Sequence, residues 1–116
     1  MRKRKPVVIT LFAGKTAAGN LYAYAEPDPA IVYVGDVIIW RVVASDGVKG
    51  VKPAHFRLKG TCMETAPFIT KVPEKRKGGD YAARAKKSGF TRTYKYDIMV
   101  GDVVAADPDI QIKDAD

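Results

Sequence analysis

Apolar and polar residues alternate with a period of two along most of this chain, and the spacing of an amphipathic helix is scarce. Segments 7–13, 21–25, 31–34, 37–43, 55–59, 68–71, 90–100, 103–105 and 110–113 read as strands. Between them lie "AAGN", "EPDP", "VGD", "SDGVKG", a second "VGD" and "ADPD", rich in the Gly, Pro, Asp and Asn that turns demand. Short strands joined by polar turns predict an all-β protein, a two-sheet, mainly antiparallel Greek-key sandwich, in a single domain over residues 1–116.

Alternation also assigns faces. In "VIIWRVV", Ile38, Trp40 and Val42 share one side, and Arg41 points the other way with Ile39. In "FTRTYKYDIMV", Phe90, Tyr94, Tyr96, Ile98 and Val100 form a dry stripe opposite Thr91, Thr93, Lys95 and Asp97. Phe56 and Leu58 are the core positions of their strand, which turns His55, Arg57 and Lys59 to the other face. The predicted core therefore includes Ile38, Trp40, Val42, Phe56, Leu58, Tyr94, Tyr96 and Ile98.

One segment departs from the pattern. In "PEKRKGGDYAARAKKSGF", Asp80 is placed to cap a short helix over 80–87, with Lys86 and Lys87 at its negative end and Gly89 as a left-handed stop. The competing reading is a plain basic loop, because isolated helices this short are marginal.

The 116 residues, 47% of them hydrophobic, suffice for one core without staples, and the lone Cys62 leaves no internal disulfide to form. No apolar run approaches the roughly 20 residues that cross a bilayer, so no transmembrane segment is expected. "MRKRK" before "PVVITLFAG", with Ala23, Tyr24 and Ala25 further on, mimics a cleaved secretory signal. Lys15 and Asn20 interrupt that pattern, and Val7, Ile9 and Leu11 alternate as a strand does. A retained strand is the favoured reading, and with it a cytoplasmic location over a secreted or periplasmic one.

"IVYVGDVIIWRVV" resembles the early strand pair of the cupredoxins, where an apolar strand, a Gly-Asp turn and an apolar strand with an aromatic residue follow in this order. "YKYDIMVGDVVAADPDIQI" resembles that family's last two strands, and residues 60–89 match its long middle excursion. The resemblance implies a cupredoxin-like sandwich, and fold likeness alone carries no function. A type 1 copper site needs two imidazoles and a thiolate with a weak axial ligand. This chain holds one His. Laying the family's closing segment on residues 94–98 puts Ile98 where the thiolate belongs, with later ligand positions near Gly101 and Ala106, and Ala54 at the first imidazole. The expectation is a copper-free member with no metal site and no cofactor.

His55, Cys62 and Met63 fall close together, and soft ligands of this kind suit Cu(I), but their spacing is unremarkable. Cys62 has basic neighbours that would favour a thiolate, yet only His55 could serve it as a base. Asp107 and Asp109 read as a turn. No phosphate loop, metal-binding helix motif or hydrolase elbow is present, so no catalytic residue is assigned and the chain is not expected to be an enzyme.

Charge is the remaining signal. The net charge is +7, and residues 49–95 carry thirteen Lys and Arg against three acids, whereas residues 97–116 carry six Asp and one Lys. Two functional readings follow: a non-catalytic module binding an unknown protein or small ligand, or a basic domain that binds an acidic protein or nucleic acid. The second would act through a mobile basic flap over 71–95, with Lys71, Lys75, Arg76, Lys77, Arg84, Lys86 and Lys87 as contacts and His55, Arg57 and Lys59 extending the patch.

Overall fold

The computed structural model describes residues 5–45, 47–60, 68, 73–86 and 92–113. Among these residues ten strands follow in chain order: β1 (Val7–Lys15), β2 (Leu21–Glu26), β3 (Ala30–Tyr33), β4 (Val37–Ala44), β5 (Val51–Leu58), β6 (Glu74–Lys75), β7 (Tyr81–Arg84), β8 (Arg92–Val100), β9 (Val103–Ala106) and β10 (Asp109–Lys113). They form two five-stranded sheets, the first in the order β2-β1-β4-β7-β6, the second β3-β10-β8-β5 with β9 paired to β8. All pairings are antiparallel except β1 with β4 and β3 with β10. No helix among the described residues is long and apolar enough to cross a membrane.

The inward stripes of both sheets meet in one core. Ile9, Leu11, Ile38 and Trp40 come from the first sheet, and Phe56, Tyr94, Tyr96, Ile98, Ile110 and Ile112 from the second. Val42 and Leu58 pack against this cluster at its margin. Trp40 is its centre, meeting the Phe56, Phe68 and Tyr96 rings edge-on at 5.6, 5.6 and 6.1 Å between centroids. Such edge-to-face contacts let the positive rim of one ring meet the negative face of another. β1 lies between β2 and β4, so 7–15 is an integral strand of the sandwich, in agreement with its alternation.

The helix expected over 80–87 is not there. Tyr81–Arg84 is a strand, in register with β4 through Val37↔Arg84, Ile38↔Ala83, Ile39↔Ala82 and Trp40↔Tyr81. Asp80 caps no helix; its carbonyl accepts from Arg76 N at 2.6 Å and closes the β6–β7 hairpin. Gly78 and Gly79 occupy the turn at φ 98° and 95°, a region that only glycine enters without strain. Both Val-Gly-Asp segments are turns. In the first, the Asp36 carboxylate accepts from Tyr33 N at 3.0 Å, and the carbonyl of Asp36 accepts from Ala85 N at 3.0 Å, tying the end of β7 to this turn.

Candidate polyanion-binding surface

The structure divides the candidate cations into two groups with different surroundings. Lys71 and Lys87 lie outside the described residues, as do Cys62 and Met63. His55, Arg57 and Lys59 come together on the second sheet, as alternation requires, and each meets a carboxylate, with His55 and Lys59 about half exposed. His55 Nδ1 is 2.9 Å from Asp97 Oδ2, Arg57 Nη1 donates to Asp97 Oδ1 at 3.1 Å, and Lys59 Nζ is 3.0 Å from Asp109 Oδ2. Lys95 completes the cluster, 3.0 Å from Asp109 Oδ1 and 3.8 Å from Asp107 Oδ2. The acidic C-terminal segment therefore supplies carboxylate partners to the basic stripe that β5 carries. "ADPD" is a turn and also the counter-charge of its neighbours.

A local irregularity in β5 sets the aim of His55. The β5–β8 register shifts between Ala54 and Arg57, and His55 sits in this irregularity at φ 57°. An extra residue there re-aims the side chain. It brings the imidazole over Asp97, while Arg57 Nη1 also donates to the His55 carbonyl at 3.0 Å. Among the described residues, no group of three or more His, Cys, Asp or Glu is placed to hold a metal ion.

Charges in this cluster tune one another. Burial opposes ionisation of Asp109, but hydrogen bonds from Lys95 and Lys59, and their charge, outweigh it and hold the carboxyl below its ordinary 3.8. The hydrogen bond with Asp109 raises the Lys95 ammonium above its ordinary 10.5, against the opposing effect of burial. The Asp109 contribution to stability is present above pH 3.8 and is lost as pH falls through the lowered folded value. The Lys95 contribution is present below pH 10.5 and is lost as pH rises through the raised one. Asp109→Asn should therefore cost about 1 kcal/mol near neutrality, a modest value because the pairs are partly exposed. Urea midpoints of variant and wild type should converge in acid; a constant gap down to strong acid would show that Asp109 acts through shape alone.

The other group stands on the β6–β7 hairpin at the edge of the first sheet. Lys75, Arg76 and Arg84 line a hollow of about 370 Å³ together with Val37, Glu74, Ala82 and Ala83. Arg84 is fixed by a 2.8 Å hydrogen bond from Nη1 to the Gly35 carbonyl. Lys77 lies in the hairpin turn and Lys86 just beyond β7, and among the described residues neither these two nor Lys75 and Arg76 has an ion-pair partner. The described part of the basic segment, 73–86, is thus a hairpin built onto β4 rather than a loose flap. Arg92 and Lys95, counted with it in sequence, belong to β8.

Sequence reasoning placed Tyr94 and Tyr96 in the core, where the structure holds them. It passed over Tyr22 and Tyr24, which are 43% and 48% exposed on the outer face of the first sheet. Their equal parity on β2 was the available signal. Comparison with protein-family models and with curated proteins finds no match to this chain.

Proposed function

We propose that the chain is a small non-catalytic binding module of cupredoxin-like architecture, without a type 1 copper set, and that it takes an anionic partner on the β6–β7 hairpin. The architecture is supported by the β3, Gly-Asp turn and β4 succession, and by β8 to β10 closing the second sheet. The positions that the resemblance assigns to copper ligands are Ala54, Ile98, Gly101 and Ala106, and Ile98 is a fully buried core residue paired with Ala106. None of these side chains binds a metal.

The observation that carries the anionic partner is the unequal matching of charge. Arg57, Lys59 and Lys95 on the second sheet are paired with Asp97, Asp107 and Asp109, whereas Lys75, Arg76, Lys77 and Lys86 have no acidic partner among the described residues. A concentrated, unmatched positive surface on a rigid edge attracts polyanions and releases their counterions. Replacing Lys75, Arg76, Lys77 and Lys86 together by Glu should preserve the fold, because all four are exposed, and should abolish retention on heparin. Wild-type binding should weaken linearly in log–log salt plots. Equal retention by the charge-reversed protein would overturn the anionic partner and leave the module with a different ligand.

A further inference from the structure

We propose that the outer face of the first sheet is a platform for single-stranded nucleic acid, with bases on Tyr22 and Tyr24 and the backbone running past Arg41 to the β6–β7 hairpin. The electrostatic half of this inference rests on the proposed anionic partner; the stacking half stands on separate observations.

The outer face of a sandwich sheet is normally polar, because only the inner face is dry. Here it carries Tyr22 and Tyr24 on β2, Val8 and Phe12 on β1, and Ile39 and Val43 on β4, with Val8 and Val43 more than one-third exposed. The rings are ordered against one another. Tyr24 lies opposite Phe12, their centroids 4.9 Å apart and their planes 19° from parallel, and Tyr22 is 6.5 Å from Tyr24 at 16°. Gly14 makes room for this array. A Cβ there would stand 2.5 Å from the Tyr22 hydroxyl oxygen and 2.7 Å from Cζ, so the ring tip lies across bare backbone. Two nearly parallel, half-exposed tyrosines offer faces to successive bases at little cost in side-chain ordering.

The charge on the same face selects the ligand. Arg41 is exposed on β4 beside Thr10, with no hydrogen-bond or ion-pair partner among the described residues. Arg84 and Ala82 project to this side through their pairing with Val37 and Ile39, so Arg84 stands on the face that holds the rings, while Lys75, opposite Tyr81, has the other parity. From Tyr24 to Arg84 the sheet spans a diagonal on the order of 25 Å, by strand spacing and rise. Glu26 and Glu74 are the acids at its two edges. A neutral sugar would use the rings and ignore Arg41 and the hairpin. An acidic protein would use the charges and leave the ring faces idle. A second copy would bring another net charge of +7 against the first. A single strand of nucleic acid uses both features, since its bases are free to stack and its backbone is anionic. A duplex hides its base faces.

The test compares a fluorescein-labelled oligothymidylate with heparin, a polyanion without bases. Tyr24→Ala should weaken oligothymidylate binding about ten- to a hundredfold, with heparin retention unchanged, and Tyr24→Phe should restore it. Tyr24→Leu keeps apolar bulk without a stacking face and should behave as the alanine variant does; an unshifted Trp40 emission checks that each variant is folded. If Tyr24→Ala and Tyr22→Ala bind both probes as wild type does, the platform is overturned, while loss of both probes on charge reversal of the hairpin would keep the anionic partner. Wild type that retains neither probe overturns both readings. Binding of a neutral oligosaccharide that needs Tyr24 and is insensitive to salt overturns the nucleic-acid assignment.

Discussion

Trp40→Ala is expected to lower unfolding stability by about 3–5 kcal/mol, the range for removing a fully buried aromatic from a core. The indole is 0% exposed and touches three further rings contributed by β5, β8 and residue 68, so its loss opens a cavity where both sheets meet. Collapse cannot fill it, since Phe56 and Tyr96 are already stacked on each other at 4.9 Å and 17°. Neither Trp40 Nε1 nor the Tyr96 hydroxyl has a well-formed hydrogen bond within the described residues. Trp40→Phe should therefore cost much less than the alanine variant, because it removes a buried N–H that gains little. Chemical denaturation of the two variants checks this; an alanine cost below about 1.5 kcal/mol would mean that the two sheets do not close on this ring.

Most of the fold was legible because the dominant force writes its period into the sequence. Ile38 and Trp40 on β4, and Tyr94, Tyr96 and Ile98 on β8, alternate with more exposed neighbours, and burial of that stripe fixes both strand and face. Residues 81–84 were misread because Ala and Arg are good helix formers and Asp80 is a good cap. Their pairing with β4 prevails over these preferences, and Tyr81 and Ala83 meet the core from one side of the strand. Short strands of small residues carry too little hydrophobic contrast to announce themselves. The candidate site was legible only in part. Charge counting found Lys75, Arg76 and Lys77, but it could not tell them from Arg57 and Lys59, whose acidic partners are some 40 and 50 residues away in sequence. Which cations remain unmatched is a property of sheet pairing. Equally, the value of Tyr22 and Tyr24 depends on Gly14 lying opposite Tyr22, a register known only once β1 and β2 are joined.

Asp97→Ala is expected to cost about 2–3 kcal/mol, an unusual sum for a residue that alternation places on a polar stripe. Asp97 is only 9% exposed, and each of its oxygens has a different partner, His55 on one and Arg57 on the other. His55 lies within the irregularity in β5 and Arg57 closes it, and there His55 holds a left-handed backbone that costs about 1–2 kcal/mol for a residue with a Cβ. The carboxylate thus offsets local strain as well as a half-buried guanidinium, and its removal leaves both uncompensated. Asp97→Asn retains one acceptor and should lose about half as much. A double-mutant cycle with Arg57→Met should give a coupling of about 1–2 kcal/mol. The same substitution should act in the opposite direction on binding: with Asp97 gone, Arg57 loses its nearer acidic partner, Asp107 being 4.0 Å away, and becomes available to an anion. Asp97→Ala should therefore be less stable than wild type yet elute from heparin at higher salt. A variant that loses stability without gaining retention would show that the second sheet takes no part in anion binding even when its cations are released, and would confine the contact to the first sheet.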